Sequence, residues 1–316
     1  MSIKGYKAFK RGMICKGKQY EENTTYEENG NKICEAGVMH FCENPFDVLN
    51  YYPLIDEDGN ISDFADVEAI GDIYKEKDKT ATNKLHIGAK LGFKGFIKAC
   101  VDFTIEKTKA ETVKADDVGI SSGDYAKIGS NGYYAQIGSS GYSAKIGSSG
   151  YYAQIGSSGD YAQIGSSGYS AKIGSSGDSA QIGSSGYYAK IGSSGDSAKI
   201  GSSGDCAQIG SSGYSAQIGS SGDYAKIGSS GDCAQITSKG NNSVVMAAGY
   251  NSIAKAKIGS WITLAEWIRT GKTNDSGKYI WIPKCVKTEC VDGERIKEDK
   301  FYKLVDGEFK EVESEE

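Results

Sequence analysis

The sequence predicts a mainly β protein: a parallel β-solenoid of nine-residue repeats, about 18 residues per coil, between a small α+β N-terminal domain and a C-terminal β-meander cap. Three observations predict it. From Ile120 to Ile236 the unit G-S-S-G-[DY]-[YSC]-A-[KQ]-I recurs thirteen times. Its seventh position is Ala in every copy, Ala126 through Ala234, and its ninth is Ile in every copy, Ile128 through Ile236. Glycine accounts for 43 residues and proline for 3, which excludes collagen, whose triple helix needs both.

The unit reads as a strand and a turn. Positions 5 to 9 alternate, so the invariant Ala and Ile share a buried face and the variable positions 6 and 8 point outward. G-S-S-G reads as the turn, its glycines free to adopt positive φ. Four turn-forming residues in every nine exclude a helix. A strand this short cannot bury its apolar edge alone, and stacking solves that. Two units per coil give about six and a half coils, roughly 30 Å of rod at the usual strand spacing. Beyond Thr237 the pattern continues in a shifted frame through Val244-Val245-Met246 and Ile253-Ala254-Lys255.

Both ends of an open solenoid expose strand edges that need covering. The spacing of Phe93, Phe96, Ile97, Cys100, Val101 and Ile105 predicts a helix over roughly 90–107, expected to lie across the first coil as a cap. Asn44 and Pro45 read as N-cap and first residue of a short helix through Tyr51, and 64–72 and 80–88 read as strands. The expected domains are 1–108, a solenoid over 109–258, and 259–316. In the last, Val291-Asp292-Gly293-Glu294 and Val305-Asp306-Gly307-Glu308 read as hairpin turns. Trp261, Trp267 and Trp281 are expected to form its core and seal the final coil.

The Asn-Ser-Val and Asn-Ser-Ile-Ala segments after Asn242 and Asn251, and the Tyr-Ser-Ala-Lys-Ile-Gly units before them, resemble the head repeats of trimeric autotransporter adhesins, which implies a β-roll. The N-terminal region runs through Gly5-Tyr6-Lys7-Ala8-Phe9, Cys15, Gln19-Tyr20-Glu21, Cys34, His40-Phe41-Cys42-Glu43-Asn44-Pro45 and Asp47-Val48-Leu49-Asn50-Tyr51-Tyr52. With Gly259 to Trp267, these segments resemble a family of uncharacterised proteins from phages and gut bacteria. That family's Gly-Phe-His-Phe-Cys carries an extra residue here, Gly37-Val38-Met39-His40. The resemblance implies a phage or prophage setting and no activity.

Little in the chain reads as chemistry. Cys15, Cys34, His40 and Cys42 formally supply a Cys₃His zinc set, but no closely spaced cysteine pair exists among them, and the preferred reading is buried structural residues with no metal or cofactor. A calcium-binding nonapeptide would need Asp in every turn, whereas Tyr replaces it at position 5 in six of thirteen units. The acidic stretch holding Asp56, Glu57, Asp58, Asp63 and Asp66 reads as a solvated loop, with a basic partner surface as the alternative. No apolar run reaches a membrane span, and the net charge of −5 argues against nucleic acid. Tyrosine fills twelve of the 26 sites at positions 5 and 6. On an 18-residue coil, Tyr134, Tyr152, Tyr188 and Tyr224 align as an aromatic ladder, read either as a recognition surface or as strand stabilisation.

The expectation is a non-enzymatic interaction protein in the cytoplasm of a bacterial host. It would bind a host or phage macromolecule, in first place a protein. Its sharpest version is a phage-encoded inhibitor of a host enzyme or defence complex. A virion or surface adhesion component and a transferase-like enzyme in the N-terminal domain are the alternatives, and homo-oligomerisation stays open.

Overall fold

A computed structural model describes residues 2–30, 37–55, 60–76, 78–108, 112–113, 118–274 and 277–312. Parallel strands spaced 18 residues apart build a solenoid of about 8 turns over residues 119–264. Each nine-residue unit supplies one strand, and alternate units join one of two facing sheets, of 11 and 10 strands. Registry is strict. Ile164 pairs with Ile182 and Ile182 with Ile200 in one sheet, while Ile173 pairs with Ile191 in the other. The alanines from Ala135 and the isoleucines from Ile128 onward are buried, and Val245, Ala247, Ala254, Ile262 and Leu264 extend the same core past the regular repeats.

The strand frame differs from the expected one. Strands run over positions 8, 9, 1 and 2 of the unit, as in Lys145–Ser148 and Gln154–Ser157, so half of G-S-S-G is strand. Positions 5 and 6 are the turn. Alternation then puts Ile and the first Ser inward and Lys or Gln and the first Gly outward. The interior is therefore not purely apolar: Ser148, Ser166 and Ser184 are fully buried beside the isoleucines.

Asp at position 5 has a structural task in these turns. Oδ1 of Asp160 accepts from the backbone N–H of Asp178 at 2.9 Å, and Asp178 serves Asp196 in the same way at 2.8 Å. Each carboxylate thus fastens one coil to the next. At Asp223, bonds from the Asn241 backbone and side chain hold the carboxyl below its ordinary range. Asp178→Ala removes one such bond and is expected to lower unfolding stability by about 1 kcal/mol. A urea midpoint equal to that of the unmodified protein would show that solvent serves the Asp196 amide equally well.

The N-terminal domain contains a four-stranded antiparallel sheet in the order Ile3–Phe9, Asp63–Ala69, Lys84–Leu91, Thr24–Glu27. A smaller sheet of Met39–Phe41, Thr80–Thr82 and Ile73–Lys75 joins it through paired backbone bonds between Tyr6 and Cys42. Pro45–Asn50 is a 3-10 helix capped by Asn44, whose side chain accepts from Phe46 N–H.

The long helix, Phe93–Thr108, does not cap the first coil. It lies lengthwise along the outer face of the 11-stranded sheet, over a lane of position-1 glycines. Phe93 sits over Gly219 and Gly201, Val101 and Thr104 over Gly165, and Thr108 over Gly147 and Gly129. The lengths match: sixteen residues span about 24 Å, and five coil spacings from Gly129 to Gly219 also span about 24 Å. Glycine makes this seat possible, because a Cβ at Gly165 would stand 3.1 Å from the helix backbone at Val101. Thr104 and Thr108 donate their hydroxyls back to helix carbonyls, at 2.8 Å each, so short side chains with satisfied polar atoms face the lane. On its other side the helix packs against the N-terminal sheet, with Phe96 stacked on Phe64 at 3.7 Å.

The C-terminal strands are shared between the two sheets. Trp261–Thr273 continues the 10-stranded sheet and folds back as Tyr279–Cys290, while Phe301–Val305 and Glu308–Val312 extend the 11-stranded sheet antiparallel to the last coil. The expected hairpin turn at 305–308 forms. That at 291–294 does not: Asp292 Oδ1 accepts from the N–H groups of residues 294, 295 and 296 in a loop that crosses between sheets. The tryptophans are not the core. Because Ile262 and Leu264 follow the inward register, Trp261 points out, and Trp281 is also exposed. Trp267 is half-buried and donates to the Ala248 carbonyl at 2.9 Å. Val291, Ile296, Tyr302 and Leu304 close the core instead, and Phe301 packs separately with Ile55 and Ile253.

Candidate interaction face

The two solenoid faces carry the same sequence and differ in what covers them. On the covered face, the position-8 row beside the glycine lane grips the 3-10 helix. Gln163 exchanges hydrogen bonds with Asn44 and Asp47, both at 3.1 Å, and Lys199 donates to the Leu49 carbonyl at 2.7 Å. Burial pulls the Lys199 amine below its ordinary value. The choice of Lys or Gln at position 8 is thus read by a partner element of the same chain.

The opposite face repeats this arrangement uncovered. Its lane also has a floor of six glycines, from Gly138 to Gly228, and nothing lies within 4 Å of a Cβ built at Gly156, Gly174, Gly192 or Gly210. The lane forms an apolar groove whose ends are marked by exposed apolar side chains. Ile120, 80 % exposed, is in register with Gly138, and Met246, 43 % exposed, is in register with Gly228. The flanking row is Gln136, Gln154, Lys172, Lys190, Gln208 and Lys226, all exposed and free of acidic residues.

One edge of this face carries the aromatic residues, in a different column from the expected one. The continuous stack is at position 5: Tyr133, Tyr151, Tyr169 and Tyr187, with successive ring centroids 5.2, 4.8 and 5.4 Å apart and near-parallel planes. Tyr134 and Tyr152 stack beside it at 5.4 Å, and Tyr188 packs edge-on against Tyr187. Tyr224 belongs to another kind of turn. Position 6 there has φ of 57°, whereas Tyr134, Tyr152 and Tyr188 are not left-handed. The Tyr152 N–H donates back to the Tyr133 carbonyl, but the Tyr224 N–H donates forward to that of Asn241. The turn peptide is therefore reversed between the tyrosine coils and the later ones.

The other sequence-derived candidates do not assemble into a site. Cys34, Asp56, Glu57 and Asp58 lie outside the described residues. Asp63 is bound up locally, accepting from the N–H groups of Gly12 and Met13 and pairing with Lys90 at 2.8 Å. Asp66 lies against Gly88 in the next strand. Among the described residues no three His, Cys, Asp or Glu side chains are grouped as metal ligands. Cys42 is buried, which pushes its thiol up to about 12, and Cys15 accepts a hydrogen bond from the Tyr52 hydroxyl at 3.0 Å. Among the described residues no helix is long and apolar enough to cross a membrane.

Residues 3–99 match the model of a domain of unknown function, DUF7666. The match covers the N-terminal sheets and the first part of the long helix and leaves the solenoid outside. No curated protein and no solved structure matches the chain.

Proposed function

We propose that the protein is a non-enzymatic interaction module whose open face docks an α-helix of a partner protein. One observation carries this reading: the open glycine lane is the twin of the lane that already seats Phe93–Thr108. The occupant it fits is a helix of about sixteen residues with small or apolar residues along one stripe, which spans the six glycines that lie between Ile120 and Met246. Lys172, Lys190 and Lys226 favour acidic residues on the flank of that helix. The tyrosine edge adds contact area at low entropic cost. In its sharpest form the module is a phage-encoded inhibitor that captures a helix of a host enzyme or defence complex in the bacterial cytoplasm.

Affinity purification from host lysate, run in parallel with Gly192→Leu, tests this. A Leu side chain at 192 fills the groove without touching the fold. The expected result is a stoichiometric partner retained by the unmodified protein and lost from the variant, and displaced by excess synthetic peptide spanning residues 92–108. A partner that survives both challenges overturns docking in the lane. Self-association abolished by Gly192→Leu would assign the face to a second copy of this chain instead.

A further inference from the structure

The N-terminal domain contains a separate cavity of about 640 Å³, against the strand Ile3–Phe9. Lys7 occupies an inward position on that strand, on the same side as Phe9. It is only 6 % exposed. Its ammonium donates to the His40 carbonyl at 2.8 Å and lies 5.6 Å from the ring centres of Phe9 and Tyr20. No carboxylate pairs with it among the described residues. A buried cation without a counter-charge costs stability, and burial accordingly pulls this amine below its ordinary value.

More positive charge surrounds it. Lys16 sits at the tip of the hairpin between Ile14–Cys15 and Lys18–Gln19, held there by a left-handed φ of 49°, and no acidic partner faces it among the described residues. Lys18 is neutralised by Glu28 at 2.5 Å and Lys79 by Glu76 at 3.0 Å. His40 Nε2 is buried and has no hydrogen-bond partner. Burial first, then Lys7, Lys79 and Lys16, pull this imidazole below its ordinary value. Tyr20 and Tyr52 supply aromatic wall. Among the described residues the cavity thus has two cations without a paired carboxylate, one imidazole nitrogen without a hydrogen-bond partner and an aromatic lining.

We propose that this cavity binds a small organic anion, a carboxylate or phosphate ester on an aromatic body, whose charge is met by Lys7 and Lys16 and which hydrogen-bonds His40 Nε2. The site is independent of helix docking, and Gly192→Leu leaves it unchanged.

Calorimetric titration with benzoate, phenyl phosphate and uncharged benzyl alcohol tests this on the full-length protein. At least one anion is expected to bind and to raise the melting temperature, and the two anions distinguish carboxylate from phosphate. Lys7→Met should weaken that binding about tenfold or more while melting higher than the unmodified protein without ligand. Lys16→Ala, an exposed change that spares the fold, should weaken it as well. The proposal is overturned if neither anion binds, if benzyl alcohol binds as tightly as the anions, or if both lysine variants bind undiminished.

Discussion

Ile182→Asp is expected to lose roughly 5 kcal/mol of unfolding stability. Ile182 is 1 % exposed and stacks in register between Ile164 and Ile200 at the middle of the covered sheet. Truncating a core Ile costs about 2–5 kcal/mol by itself. The substitution also brings a carboxyl into a slot lined by methyl groups, where it must either stay charged at great cost or take up a proton to become neutral. A solenoid coil contacts only its neighbours, so a central defect uncouples the coils on either side. Against a total of about 5–15 kcal/mol for a typical domain, that loss leaves little cooperative folding. Ile120→Asp is the control, because Ile120 is 80 % exposed at the lane's end. Urea unfolding followed by circular dichroism should show a large fall for the first and almost none for the second. A fall under about 1 kcal/mol at Ile182 would mean that the Ala and Ile stack does not hold the rod together.

The period, the number of units per coil and the buried Ala and Ile were legible because burial punishes variation at exactly those sites. The strand frame was not. Gly and Ser read locally as turn formers, yet here position-1 Gly sits in a strand on both faces, with a helix lying on it on the covered face, and position-2 Ser sits inward where a small side chain fits. That is a tertiary cause, and it overrides local preference. The helix itself followed from its 3.6-residue spacing, but its resting place depended on the lane, whose role appears only once strands are stacked. The tyrosine stack moved one position for a similar reason: which column aligns depends on the turn peptide's direction, which the sequence does not display. Lys7 illustrates a further limit. A lysine on an alternating strand normally faces water, and only the structure places it on the side of Phe9. Asp63 reads as a surface acid among others, whereas two backbone amides 50 and 51 residues away fix it as a structural anchor.

The glycine lanes yield the second large effect, through a matched pair of substitutions at equivalent sites. Gly165 and Gly192 both occupy position 1, both point outward, and neither has positive φ. Sequence alone therefore predicts the same outcome for Leu at either. The structure predicts opposite ones. At 165 the Cβ alone would stand 3.1 Å from Val101 Cα and 3.1 Å from Thr104 Cβ, and backbone cannot swing aside as a side chain can. The remaining three carbons have nowhere to go unless the helix lifts from the sheet. Overpacking of this kind costs about 1–3 kcal/mol. It should also raise hydrogen exchange across 93–108, since the helix loses its seat. At 192 nothing lies within 4 Å, and replacing a strand glycine there should leave stability unchanged or slightly raised. Equal destabilisation by both would mean that the helix is not held by the lane, and the argument that its empty twin seats a partner helix would lose its template.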